Sequence, residues 1–429
     1  MGFRYSKIFL LGLGFFGISV IWALYNAYVP IFLKDFGLTS TVIGFIMTID
    51  NIFAIVMLPY IGALSDQTRT KIGRRMPYIL AGAPIASVFF SLIPAFWWMV
   101  RSIHSPISPS ILILSRIWGL SVLPHLMITI IVMNFAMALF RSPVIALMPD
   151  ITPSKYRSQA NGIVNLMGGL GALVVYFVGK IIYDINPALL FIIGALVMLV
   201  ANLIVVTFIK EPEEFRKPAE GGKIDFSFKR SFSSLAENLK DVFHSKEKSL
   251  LFILLSILFW FIAFNSIETF FTSYAKFYLG MKESTGALIL GFFSLSFMIF
   301  SIPAGFIGSK IGRKRTITAG LTIVAIVVFL ALALKNLVSL MILFMVGGFG
   351  WAMVNVNSLP MVVDMTTKEK VGGYTGLYYF FSMAANIIAP PLSGFFIDKT
   401  GYPSLMIFAG VFFILSIITI QFVKRGDVV

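Results

Sequence analysis

Apolar residues in this chain come in long runs broken by short polar gaps. Runs long enough to cross a bilayer fall near 8–33, 41–64, 77–100, 120–148, 158–181, 187–209, 250–279, 283–307, 316–334, 337–364, 372–397 and 401–424. A helix rises 1.5 Å per residue, so about 20 apolar residues make one crossing. The pattern predicts an all-α membrane protein with twelve spanning helices, and the even number puts both termini on one side. Basic residues indicate which side. Arg4, Lys7, the loop after the second run, Lys155, Arg157, the 210–249 segment, the Lys310 to Arg315 cluster, Lys368, Lys370, Lys424 and Arg425 fall together. The opposite gaps hold only scattered bases such as Lys34, Arg101, Arg116, Lys276, Lys282, Lys335 and Lys399. Lys and Arg near helix ends are retained in the cytoplasm, so a cell (inner) membrane protein with both termini cytoplasmic is expected. The first run is too long for a signal-peptide core and lacks a small-residue cleavage site, so it is expected to remain as the first helix.

The two halves of the pattern repeat. KIGRRMPYILAG at 71–82 matches KIGRKRTITAG at 310–320, and the series Asp150, Gly162, Asp184 recurs as Asp364, Gly376, Asp398 at a constant offset of 214. Two pseudo-symmetric six-helix bundles follow, at 1–209 and 250–429. Gly73 and Gly312 are 239 apart while the later markers are 214 apart, so the first half carries 25 more residues, at about 96–120. Their Trp, Arg and Pro content suits an external loop with an interfacial segment, an aromatic anchor in preference to a lid. Between the halves, 210–249 alternates acids and bases and reads as a cytoplasmic linker. Within it Phe232, Leu235, Leu239 and Val242 fall at helical spacing beside Lys229, Arg230 and Lys240, which predicts a short amphipathic helix on the inner leaflet.

Composition narrows the class. Hydrophobic residues make up 58% and charged residues 12% of 429 positions, against roughly a quarter charged in soluble domains. The formal charge of +15 punctuates the apolar runs and forms no aromatic-interleaved patch, so it implies anionic lipid and no nucleic acid. With no cysteine, disulfides, Cys-ligated metal and thiol catalysis are excluded. His104, His125 and His244 are too scattered for a metal site, and no Ser/His/Asp or phosphate-loop arrangement appears, so neither catalysis nor a cofactor is expected. Glycine pairs such as Gly347–Gly348 indicate helix packing.

Candidate chemistry lies in polar residues inside the runs, where an ionisable group costs at least roughly 2.5–3.5 kcal/mol. Asp50, beside Asn51, falls near the middle of the second run, and Glu268, three residues after Asn265, near the middle of the seventh. Arg141 lies about 10 Å from the inner end of the fourth run, with Asn134 on the same face seven residues earlier. Asp50 and Glu268 read as ion-coupling carboxylates, and Arg141 as a counter-ion with Asp50 its leading partner. A carboxylate in a low dielectric can exchange H⁺ or hold Na⁺ with neighbouring amides. A second group suits a hydroxyl-rich ligand. Trp22, Tyr25 and Asn26 share one face of the first run, and Trp351 and Asn355, with Asn357 nearby, repeat the arrangement in the tenth. Sugar C–H faces pack on aromatic rings while hydroxyls need donors and acceptors together. With Asn134 and Asn265, the first, fourth, seventh and tenth runs are all marked, and a binding cavity among them is expected.

The stretch GALSDQTRTKIGRRMPYIL at 62–80 holds a further cluster: Gly62, Asp66, Gly73, Arg74 and Arg75, with Asp150 and Arg157 in RSPVIALMPDITPSKYRSQANG at 141–162. Asp66 ends a helix, where the macrodipole disfavours an anion, so it needs partners: Arg74, or a helix N-terminus of the other bundle. The Gly-x-x-x-Asp then Gly-Arg-Arg order resembles the loop signature of the major facilitator superfamily. The forms of both stretches, with FNSIETFFTSYAKFYLG and NVNSLPMVVD, resemble glycoside–cation symporters and relatives of the plant sucrose transporters. The resemblance implies the major facilitator fold, a gating role for these residues, and uptake of a sugar or glycoside, such as sucrose or maltose, coupled to H⁺ or Na⁺ by alternating access. The helix 4 carboxylate that the plant sucrose transporters use for coupling falls on Asn134 here, so coupling moves to Asp50 or Glu268, or is absent.

The reading is therefore a cation-coupled sugar symporter acting as a monomer, with a small sugar and the bilayer as its partners. An exporter of amphipathic compounds would have a cavity poorer in amides. A membrane sugar sensor would carry a long cytoplasmic extension, and a membrane-embedded enzyme would need a reactive constellation.

Overall fold

The computed structural model describes residues 5–103, 109–153, 156–213, 242, 247–366 and 371–427. Phe232, Leu235 and Leu239 of the expected amphipathic helix lie outside them, as do Arg4, Lys155, Lys368, Lys370, His104 and His244.

Among the described residues the chain is helical, in the order α1 (Tyr5–Asp35), α2 (Ser40–Met47), α3 (Ile49–Gln67), α4 (Met76–Ile103), α5 (Pro109–Ile151), α6 (Arg157–Ile185), α7 (Pro187–Phe208), α8 (Ser249–Phe277), α9 (Glu283–Ile311), α10 (Arg313–Ala333), α11 (Leu337–Val363), α12 (Val371–Thr400) and α13 (Ser404–Gln421). They provide twelve helical stretches long and apolar enough to span a membrane, α2 and α3 together forming the second. This is the outcome that run length predicts, because a backbone in hydrocarbon must satisfy its hydrogen bonds within its own segment.

Two local features differ from the sequence expectation. The second run is interrupted at Thr48, whose hydroxyl bonds the Phe45 carbonyl at 2.8 Å and whose N–H bonds the same carbonyl at 3.2 Å. Threonine back-bonding of this kind tightens a helical turn, and it sets Asp50 in the first turn of α3 rather than in an unbroken helix. The residues near 96–120, expected as an external loop, instead prolong their neighbours: α4 continues to Ile103 and α5 begins at Pro109. Proline at a first helical position gives up no hydrogen bond, so Pro109 can open a helix.

The chain forms two compact units, one of Met1–Leu38 and Ile49–Phe226, the other of Thr39–Thr48 and Ser227–Val429. In the first, α1 packs against α6 and α7, α4 against α5 and α7, and α3 against α5. In the second, α8 packs against α12 and α13, α10 against α11 and α13, and α9 against α11. The internal repeat is thus a repeat of helix pairings. Glycine permits the closest approaches: a Cβ on Gly171 of α6 would lie 2.5 Å from the Phe16 carbonyl oxygen of α1, and one on Gly348 of α11 would strike the Phe293 carbonyl of α9.

The exchange of Thr39–Thr48 into the second unit has a chemical basis. The Asp398 carboxylate of α12 accepts the backbone N–H groups of Ser40 at 2.7 Å and Thr41 at 2.8 Å, and the Thr41 hydroxyl at 2.6 Å. It caps the N-terminus of α2, the end where free N–H groups favour an anion.

Candidate functional site

Within the first unit, α1, α3 and α5 assemble a polar cluster from residues far apart in sequence. Trp22 and Tyr25, three apart on α1, meet edge to face with ring centroids 5.7 Å apart. Asn134 of α5 donates its amide to the Tyr25 hydroxyl at 3.3 Å. Two turns further along α5, the Arg141 guanidinium carbon stands 5.8 Å from the Trp22 ring centroid, within cation–π range. From α3, the Asn51 amide donates to the Asp50 carboxylate at 2.8 Å. The Asp50 charge acts on both Tyr25 and Arg141. Tyr25 and Asn134 are buried, while Trp22, Asn26, Asp50 and Arg141 are half-buried. The sequence expects a direct Arg141–Asp50 ion pair, and none forms among the described residues: Arg141 turns to the indole and Asp50 to its neighbouring amide.

The second unit gathers a different set. Asn265 of α8 donates to Asn386 of α12, a residue absent from the sequence-based candidates. Trp351 of α11, expected as an open aromatic platform, is 3% exposed, with Phe264 stacked on it at 4.3 Å and 4° and Phe261 edge-on at 5.7 Å. Trp351 is therefore packed behind the rings of α8. Asn357 is likewise committed, donating to the carbonyls of Ala304 at 3.1 Å and Met353 at 2.9 Å, and so tying α9 to α11. Asn355 and Glu268 remain half-buried. Ser358 and Tyr378 share a hydrogen bond at 3.0 Å.

A third arrangement closes one end of the first unit. Asp66, in the last turn of α3, lies 3.5 Å from Arg74 and also pairs with Arg75. Asp150, near the end of α5, takes Arg74 at 2.5 Å and Arg75 at 3.0 Å. Arg75 reaches the Gly62 carbonyl at 3.2 Å and the Ser65 hydroxyl. Asp66 thus has the arginine partners its place at a helix C-terminus demands. Arg157 stands apart, donating to the carbonyls of Thr152 and Pro149 at 3.3 Å each, where it caps the end of α5. The sequence reading misses Glu211. Just past α7, 2% exposed, it accepts the N–H groups of Arg74 and Arg75 at 2.9 Å each and of Met76 at 3.3 Å, capping α4. Gly73 has φ +124°, and a Cβ there would collide with the Glu211 carboxylate. Asp427, just past α13, caps α10 in the same way through Arg313 and Lys314.

A sequence-family model described as Major Facilitator Superfamily matches residues 11–297 and 275–427. The chain belongs to the major facilitator superfamily. It is similar to the hexuronate transporter of Bacillus subtilis, 25% identical over 63% of this chain and 66% of that one. Solute carrier family 45 member 3 of Mus musculus is 27% identical over 42% of this chain and 31% of its own length. The human proton-associated sugar transporter A is 28% identical over 39% and 21%. The matches therefore span less than two thirds of these relatives' lengths. Among solved structures, a D-xylose-proton symporter superposes with TM-score 0.67 at 16% identity over 98% of this chain and 97% of that one. The nucleoside transporter NupG gives 0.66 at 15% over 98% and 99%. These superpositions show the fold alone. The relatives are transporters and not enzymes.

Proposed function

We propose that this transporter is a secondary active symporter that takes up a sugar or glycoside together with H⁺ or Na⁺ by alternating access. It acts as a monomer in the cell membrane with both termini cytoplasmic. The observation that carries the reading is the convergence, in the first unit, of the Trp22–Tyr25 ring pair, the Asn134 amide and the Asp50–Asn51 carboxylate–amide pair. Rings and an amide are what a polyhydroxylated ligand requires, and a carboxylate beside an amide is a seat for a proton or Na⁺. Names among the relatives, a hexuronate transporter and a proton-associated sugar transporter, support the same substrate class. Asp50 carries the coupling ion in this reading, with Glu268 as the second carboxylate. The Asp66–Arg74–Arg75–Asp150 network gates the cytoplasmic side.

Proteoliposomes with labelled sugars on both sides, with and without Na⁺, test it. At least one of Asp50→Asn and Glu268→Gln should retain sugar counterflow and lose uphill accumulation, while Trp22→Ala weakens both. Accumulation against a gradient by both amide variants would reject the coupling assignment.

A further inference from the structure

The cluster of the first unit leaves polar groups unused. Trp22 Nε1 and Asn134 Oδ1 are buried with no hydrogen-bond partner among the described residues. Arg141, half-buried, makes no hydrogen bond and no ion pair among them. Buried polar groups without partners are costly and therefore scarce in native structures. Here one donor, one acceptor and a whole guanidinium stand open within one set of touching residues: Trp22 meets Tyr25, Tyr25 meets Asn134, and Arg141 lies over Trp22. Ring contact orients the guanidinium and leaves its N–H edges available. Those edges form a planar fork that fits the two oxygens of a carboxylate, whereas a sugar hydroxyl engages one N–H at a time.

We infer that Arg141 anchors a carboxylate on the transported sugar, so that the preferred substrates are sugar acids, hexuronates and their glycosides, over neutral sugars. The inference rests on the reading of the chain as a sugar transporter and narrows its substrate class. The remaining groups suit the rest of such a ligand, Trp22 Nε1 donating to a hydroxyl and Asn134 Oδ1 accepting from one. Asp50 repels the incoming carboxylate while it is ionised. A cation on Asp50 cancels that repulsion, so the coupling ion and the acid favour each other's binding.

The test uses the full chain in proteoliposomes, with D-glucuronate, its methyl ester, D-glucose and sucrose competing against counterflow of a labelled sugar that exchanges. The ester removes the negative charge and keeps the ring. Glucuronate should compete about 30-fold better than its ester, the value of one charge-assisted contact. Arg141→Gln should bring the acid down to the level of the ester, so that the acid-to-ester ratio falls from about 30 to about 1. Equal competition by acid and ester in the wild-type protein, or equal weakening of both by Arg141→Gln, overturns the inference. Exchange of neutral sugars with no effect of glucuronate overturns it and leaves the sugar-transport reading intact. Absence of exchange with every sugar rejects both. Should Arg141→Gln fail to fold, the wild-type ratio of acid to ester decides alone.

Discussion

The two units carry one motif at different depths. In each, a left-handed glycine, Gly73 or Gly312, opens a helix whose first N–H groups are capped by a carboxylate from just past the last helix of that half, Glu211 or Asp427. In each, the arginine after the glycine meets an aspartate at the end of another helix, Asp150 for Arg74 and Asp364 for Arg313. The burial then diverges. The side chains of Arg74 and Asp150 are 13% and 10% exposed, whereas those of Arg313 and Asp364 are 19% and 52% exposed, so the difference lies mainly in the aspartate. The first unit adds Arg75 and Asp66. The second has Lys314 in place of Arg75, bonded to the carbonyls of Gln421 and Val423 at 2.8 Å each, and Ser309 ends its Gly-x-x-x run where Asp66 ends the other. The glycine and its capping carboxylate are therefore the architectural part that both halves need. Among the described residues, aspartates bridged by two arginines, Asp66 and Asp150, belong to the first unit.

The comparison fails most visibly at the arginines. Removing one partner of a buried pair strands the other charge and costs about 3–5 kcal/mol, while exposed pairs contribute roughly 0–1 kcal/mol. Arg75→Ala should lower the unfolding free energy of the detergent-solubilised protein by about 3 kcal/mol or more, and Arg313→Ala by about 1 kcal/mol or less. Equal losses would show that depth does not separate the networks.

The caps come next. Loss of a helix cap costs about 0.5–2 kcal/mol, more where donors stay buried. Glu211→Ala, which uncovers the N–H groups of three residues, should cost about 2 kcal/mol in the same measurement. Asp427→Ala, at an exposed site, should cost less. A reversed order would mean that the second cap is the structural one.

Asp66→Asn should have the smallest effect on stability and the most selective effect on function. Its side chain is 53% exposed, so its contribution to folding is small. Binding of the proposed sugar ligand, followed by ligand-induced tryptophan fluorescence, should be retained while the transport rate falls several-fold. Parallel loss of binding and transport would assign Asp66 to folding and remove the functional distinction between the units.

The sequence by itself determined the number and placement of the spans. Bilayer thickness fixes the length of each apolar run, and the backbone must bond within it. It also exposed the repeat, since Gly-Arg recurs 239 residues on and the later Asp150, Gly162, Asp184 series recurs 214 residues on, and it marked Asp50, Asn134, Arg141, Asp66 and Asp150 because ionisable and amide groups inside or beside such runs are expensive. Tertiary structure decided which of those groups meet. The break at Thr48 follows from a side chain choosing its own backbone. Asn357 and Trp351 became packing elements because neighbouring carbonyls and phenylalanine rings reached them first. Arg141 faces an indole and not Asp50, and Glu211 caps a helix that begins 135 residues earlier. Such pairings depend on the few ångströms between packed helices, a distance that run lengths and residue spacing along one helix leave open.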